Sequence, residues 1–282
     1  MKQKSNKLTG AQGFDHFYTQ IYGERWNAIK EAFKKENQAV EYKIPGSQKS
    51  YYLDAASVFA ALCLPVKQAE NILDLCAAPG GKTLVIASRM NEDAKLSSNE
   101  RSPERKHRLQ TVVNECLPEE INRRITVSCS DGATWCTRQT ECFDCILLDA
   151  PCSSERHVML DDKYLNTWSP SRIKTVSMEQ WALLSSAYRL LQPGGYLLYS
   201  TCAICPQEND DMLGKLIKKF NREGDAFTFI EPSPDLSEIE AFVKMELPEY
   251  EKTKYGYEIF PDVQNGAGPI FFSLIKKGKS IN

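Results

Sequence analysis

The chain has 282 residues, 42% of them hydrophobic and 26% charged, with a formal charge of −2 and a pI near 6.0. That length can bury a substantial core in one large domain, or in one domain with an appendage. The charge excludes a protein that grips nucleic acid by net positive charge alone, because phosphate contacts supply most non-specific affinity.

No apolar run approaches the roughly 20 residues that span a bilayer. Met1 to Lys7 lacks the apolar core of a secretion signal, so an intracellular location and no membrane partner are expected. Ten cysteines in a chain that needs no staples read as reduced thiols. Lys2 to Gly13 is polar and expected to fray. Phe14, Phe17, Tyr18, Ile21, Tyr22, Trp26, Ile29 and Phe33 recur at intervals of three and four, which predicts an amphipathic helical segment over Phe14 to Lys35, with Gly23 as its weak point. A bridging stretch from Ala39 to Lys49 carries the Pro45-Gly46 turn signal. Tyr51 to Ser57 then opens another helix, with Asp54 as N-cap and the apolar run to Leu64 as its buried face.

From Asn71 onward strands alternate with helices, the signature of an α/β fold built on a doubly wound, mostly parallel sheet. Strands are predicted at Ile72–Leu75, Lys95–Ser98, Ile125–Cys129, Cys142–Leu148 and Gly195–Ser200. Helices are predicted at Lys82–Arg89, Pro103–Glu115, Arg172–Leu191 and Gln207–Lys219. Pro103 and Pro206 stand at or near a first helical position, and Pro193-Gly194-Gly195 forms a tight turn into the Tyr196 strand. Between Arg222 and Asn265 the chain is Glu-rich and proline-punctuated, with a strand expected at Phe227–Ile230 and a helix at Leu236–Met245; Pro269 to Lys276 reads as a closing strand. The division expected is a helical N-terminal extension, 1–65, packed on a core domain, 66–282.

Three strand ends carry polar turns that face one crevice in such a sheet. The first, Asp74-Leu-Cys-Ala-Ala-Pro-Gly-Gly-Lys-Thr83, lacks the glycine spacing of an ATP phosphate loop, but its paired glycines let backbone approach an anionic ligand closely. Glu100, at the next strand end, is placed to accept from ribose hydroxyls, and Asp131, after the third strand, to take an adenine amino group. A carboxylate, a ribose and an adenine together describe S-adenosylmethionine.

The other two ends are Asp149-Ala-Pro-Cys152 and Ser200-Thr-Cys202. Two thiols in one crevice suit covalent chemistry on cytosine. C5 is too electron-poor to attack a methyl sulfonium until a nucleophile adds at C6, and a thiolate can do this. Activation at N3 and O2 falls to Asp149 and Lys82. One cysteine attacks and the other assists release. Cys142-Phe-Asp-Cys145 and Cys202-Ala-Ile-Cys205 also have four-cysteine zinc spacing. The first pair sits on a strand whose direction burial already claims, and the three histidines are dispersed, so no metal is expected.

With these motifs in this order the chain resembles the Sun (Fmu) family of RNA cytosine-5 methyltransferases, marked by D-x-C-A-A-P-G-G-K-T, D-A-P-C and S-T-C. The resemblance covers roughly Tyr51 to Asn209 and the closing Gly268-Pro-Ile-Phe-Phe segment. It implies a Rossmann-like class I methyltransferase fold, with Cys202 as nucleophile, Cys152 assisting product release, and Asp149 and Lys82 on the target base. It also implies an S-adenosylmethionine site lined by Cys76, Ala77, Ala78, Pro79, Gly80, Gly81, Lys82, Glu100, Arg105, Asp131 and Asp149. The bacterial pattern P-C-S-G-x-G is replaced here by Pro151-Cys-Ser-Ser-Glu-Arg-His157, which resembles the mitochondrial branch acting on ribosomal or transfer RNA. The location implied is bacterial cytoplasm or mitochondrial matrix. Arg101, Arg105, Lys106, Arg108, Arg123 and Arg124 are candidate phosphate contacts, and the acidic pI points to a targeting protein partner or a structured RNA assembly for affinity. A non-catalytic assembly factor keeping the fold is the alternative.

Overall fold

Short apolar runs, each followed by a polar turn and a returning helix, pair side by side and in parallel. The computed structural model describes residues 8–37, 39–223, 226–263 and 266–278. The polar start at Met1 to Lys7 lies outside these residues. In chain order the regular elements are α1 (Gly10–Tyr22), α2 (Arg25–Phe33), β1 (Ala39–Tyr42), β2 (Tyr51–Asp54), α3 (Ala55–Leu62), β3 (Asn71–Asp74), α4 (Gly81–Ala87), β4 (Lys95–Glu100), α5 (Pro103–Cys116), α6 (Glu119–Asn122), β5 (Ile125–Cys129), β6 (Phe143–Asp149), α7 (Glu155–Leu160), α8 (Asp162–Asn166), α9 (Pro170–Leu190), β7 (Leu191–Thr201), α10 (Asp210–Phe220), β8 (Phe227–Ile230), β9 (Glu251–Lys252), β10 (Tyr257–Ile259) and β11 (Ile270–Lys277).

A nine-stranded sheet has the order β5-β4-β3-β6-β7-β11-β10-β9, with β8 also pairing β11. The five strands β3 to β7 are parallel, and β11 joins β7 antiparallel. The order reverses at β3, with β4 and β5 on one side and β6 and β7 on the other. The carboxyl ends of β3 and β6 therefore flank a switch-point crevice, where open α/β sheets bind ligands. Phe59, Val85 and Leu109 belong to one buried layer, and Leu184, Tyr188 and Phe220 to another. A third cluster packs Phe14, Tyr18, Trp26 and Phe33 of α1 and α2 against Trp168, Ile204 and Phe260, so the N-terminal helices support the chain just beyond Cys202.

Several local expectations are corrected. Gly10 to Gly13, expected to fray, is helical, because the Gly10 N–H bonds the Trp168 carbonyl at 2.8 Å. The helical segment does break at Gly23, whose φ is +57°. Tyr51 to Asp54 is a strand paired with β1, and the helix starts only after Asp54, whose carboxylate accepts the Ala56 N–H at 2.7 Å. Pro193 to Gly195 is an irregularity within β7 rather than a turn before it: Phe143 pairs Leu191, but Cys145 already pairs Tyr196. Pro206 lies well before α10 and opens a run of turns, accepting from Asn209 and Asp211. Leu236 to Met245 is not a helix beyond a short 3-10 turn at Leu236–Glu238. Ile239 and Val243 are still buried, but the Phe242 carbonyl accepts from the Lys43 N–H rather than from a helical turn.

Candidate active site

Because β6 and β7 are parallel neighbours with Asp149 opposite Ser200, the residues just past each strand converge. Cys152 Sγ and Cys202 Sγ stand 3.0 Å apart. Their environments drive the two thiols apart in acidity. Cys202 is held below the ordinary cysteine value, chiefly by the hydrogen bond from Cys152 and, against the opposing effect of burial, by the Ser154 hydroxyl. The same hydrogen bond, followed by burial, pushes Cys152 well up. Such divergence favours the thiolate form at Cys202 over Cys152.

Two buried carboxyl groups beneath the pair hold both loops. Glu155 accepts from Tyr18 Oη at 2.5 Å and from Ser153 Oγ on one oxygen, and from the Ile204 N–H at 3.0 Å on the other. Glu208 Oε2 accepts from the Ser153 N–H at 2.9 Å and from Gln180 Nε2 at 3.0 Å. Thus the loop after β6, the loop after β7 and α1 are tied together through side chains that are wholly buried. Sequence reasoning missed Glu155 and Glu208. Charged residues outside any apolar-periodic or strand-end signal look solvated, and only the Pro206 turns carry Glu208 inward.

The turn after β3 lies beside the thiols. Lys82 Nζ donates to Asp149 Oδ2 at 2.8 Å, and Ser200 Oγ donates to Asp149 Oδ1 at 2.8 Å. Burial opposes the Lys82 charge, but Asp149 outweighs it and raises the ammonium above its ordinary value. Gly80 has φ +121°, and a Cβ there would come within 2.9 Å of Val112, so the turn is closed to larger residues. Lys82, Asp149, Cys76, Ala77, Ala78, Pro79 and Gly81 line a cavity of about 120 Å³. It shares Cys76 with a cavity of about 390 Å³ lined by Glu100, Arg105 and Asp131. On its other side it shares Ser57 with one of about 400 Å³ that holds Cys202, Ser154, Arg156 and His157.

The donor set suits an amino-acid nucleoside. Asp74 Oδ1 is buried without a partner, while Thr83 Oγ1 bonds its other oxygen at 2.7 Å. Glu100 Oε2 is buried with only Arg105 Nη1, 3.2 Å away and poorly aligned. Arg105 also donates to the Ala78 carbonyl at 2.6 Å, so it braces the glycine turn against Glu100. Asp131 caps its own turn through the Ala133 N–H, which occupies only one of its carboxylate oxygens. Burial pushes the Cys76 thiol up, which makes it an inert wall.

The zinc alternative fails on topology. Cys145 pairs Tyr196 early in β7 and donates to the Pro65 carbonyl at 3.3 Å, whereas Cys202 lies past the other end of that strand. Among the described residues no group of three or more His, Cys, Asp or Glu side chains could hold a metal. All ten cysteines are free thiols. Of the candidate phosphate contacts, Arg101, Arg105 and Arg108 are paired with Glu179, Glu100 and Glu104.

Four buried carboxyls make stability fall as pH rises. Burial pushes Asp74 and Glu208 each up to about 7 and raises Glu155 and Glu258. Below the ordinary carboxylate range both folded and unfolded chains hold these protons. For Asp74 and Glu208, from there to about pH 7 only the unfolded chain ionises, so folding loses free energy through these two groups up to about that pH. The thermal midpoint is expected to be about 5 °C higher at pH 6 than at pH 8. A midpoint that rises over this interval in a melting series would mean that these groups are ionised in the fold.

Residues 61–265 match the model of the family described as 16S rRNA methyltransferase RsmB/F. The chain belongs to this family. Among curated relatives, the chain is 30% identical to the 5-cytosine rRNA methyltransferase NSUN4 of Xenopus laevis over 83% of its own length and 58% of the relative's. It is 34% identical to the ribosomal RNA small subunit methyltransferase F of Vibrio vulnificus over 82% and 46%. The chain thus spans about half the length of the curated relatives it matches. A methyltransferase homolog protein from Pyrococcus horikoshii shares the fold, with a TM-score of 0.68 at 21% identity over 92% of this chain and 93% of that one. NSun6 from the same organism, solved with SFG, has a TM-score of 0.63 at 21% identity over 83% and 55%. The architecture of this RsmB/F family member is that of S-adenosylmethionine-dependent class I methyltransferases. No helix among its described residues is long and apolar enough to cross a membrane.

Proposed function

We propose that this RsmB/F family member transfers a methyl group from S-adenosylmethionine to C5 of a cytosine in RNA, with small-subunit ribosomal RNA as first candidate and transfer RNA as second. The observation that carries the reading is the row of three adjoining cavities that ends at a thiol pair of split acidity. Glu100 and Asp131 would hold the nucleoside end of the cofactor, and the unpartnered Asp74 oxygen its ammonium group. When bound, S-adenosylmethionine supplies an electrophilic methyl group.

The rest is work for the chain's own side chains. Cys202 Sγ adds to C6 of the extruded base, which makes C5 nucleophilic. The Lys82 ammonium donates to the ring oxygen side while the Asp149 carboxylate accepts from the exocyclic amino group. After methyl transfer the C5 proton passes to water in the open cavity as the C6–Sγ bond breaks, and Cys152, keeping its own proton beside Cys202 Sγ, stabilises the thiolate that re-forms. The core domain is read as 66–282, with 1–65 as an extension; the aromatic cluster of α1 and α2 supports its packing on that core. With three of the candidate arginines already paired, affinity for RNA comes from a targeting protein or a structured RNA particle, inside the cell.

The test is incorporation of labelled methyl groups from S-adenosylmethionine into ribosomal RNA, assembled small subunits, transfer RNA and DNA, followed by nucleoside analysis. 5-Methylcytidine in RNA supports the reading. Label in DNA moves the chemistry to another substrate, and none in any acceptor favours the assembly-factor alternative.

A further inference from the structure

The turn into α7 puts a third polar group against the two sulfurs. Ser154 precedes α7 as its N-cap, yet its side chain makes no capping hydrogen bond, which is the usual reason for serine at that position. Its Oγ lies instead 3.4 Å from Cys152 Sγ and 3.2 Å from Cys202 Sγ. The backbone pays for this aim: Ser154 has φ 53° and ψ 62°, the left-handed region that residues other than glycine, Asn and Asp rarely enter. Its neighbours enforce the conformation. Glu208 holds the Ser153 N–H, Glu155 holds the Ser153 hydroxyl, and the Ser154 carbonyl accepts the Val158 N–H at 3.0 Å. A glycine would take the same backbone without strain, so the strained conformation is kept with the hydroxyl set against the two sulfurs.

We propose that Ser154 is a catalytic residue whose hydroxyl donates to the Cys202 sulfur alongside the Cys152 thiol, stabilising the Cys202 thiolate both before attack and as it leaves. This rests on the methyl-transfer reading for its purpose but not for its geometry. One hydroxyl hydrogen and one thiol hydrogen satisfy the three-atom cluster, with the charge on Cys202. The direction of both thiol shifts agrees with that pattern. Other groups facing Cys202 are Asp149 at the end of β6, which opposes the thiolate, and Lys82 of α4, which favours it. Asp54, Arg156 and His157 stand around the same cavity.

The experiment is alkylation of the reduced full chain by iodoacetamide across pH 5 to 9, without RNA or cofactor, with each cysteine read by peptide mass spectrometry. Wild type is compared with Ser154→Gly, which relieves the backbone, and Ser154→Ala, which does not. In both variants the half-reaction pH of Cys202 is expected about one pH unit higher, as for loss of a hydrogen bond to a charged group, while exposed Cys129 stays in place as an internal standard. Coincident Cys202 profiles in wild type and either folded variant would overturn the assignment. Because no methyl transfer is measured, a shifted profile in a chain that methylates nothing would sink the functional reading and leave this one standing.

Discussion

Replacing Cys202 by alanine is expected to lower methyl transfer by at least about a thousand-fold and to abolish covalent capture of RNA carrying 5-azacytidine. Loss of the nucleophile removes the adduct through which C5 is activated, and no neighbouring group replaces it. Replacing Cys152 has a different signature. Without its thiol, nothing donates across the 3.0 Å gap to Cys202 Sγ, so the thiolate is a poorer leaving group. Protein–RNA adduct should then accumulate on ordinary cytosine, visible on a denaturing gel. If capture survives in Cys202→Ala and is lost in Cys152→Ala, the two roles are reversed.

The second large effect is expected at Glu155, which touches no substrate. Alanine there strands three buried donors, Tyr18 Oη, Ser153 Oγ and the Ile204 N–H. Each unsatisfied donor costs about 1 kcal/mol or more, partly offset by relief of burying a carboxyl group. A net loss of about 2 to 3 kcal/mol, and a melting midpoint lower by about 3 to 5 °C, is expected. Adduct formation should fall with it, since the loops bearing both thiols lose their shared anchor. Glu155→Gln keeps one acceptor oxygen and should recover most of the stability but only part of the activity. A wild-type melt for Glu155→Ala would mean that the network carries little of the fold's stability.

Much of the fold was legible because burial on both faces of a parallel sheet leaves an unambiguous record. Cys145 to Leu148 and Tyr196 to Tyr199 are continuous apolar runs that end in polar turns, and helices between the strands have caps such as Ser102-Pro103. The strand predicted at Ile125–Cys129 has those bounds in the structure. Legibility failed where tertiary partners replaced local ones. Tyr51 to Asp54 has helical-looking surroundings, but its backbone is paired by β1. The apolar periodicity of Leu236 to Met245 is satisfied by coil, with the Phe242 carbonyl committed to Lys43.

At the site, the sequence by itself determined which residues would be present: a glycine turn that only glycine can make, acids at successive strand ends, and a cysteine beyond each of two strands. What only the tertiary structure decided is how they are coupled. The register of β6 against β7 sets the sulfurs 3.0 Å apart, and the folding of distant Tyr18, Gln180 and Glu208 around Ser153 turns Ser154 toward both. Side-chain spacing along a chain encodes which face a residue takes. It does not encode which buried charges from other elements will meet there, because that depends on long-range packing and on the hydrogen bonds that burial demands.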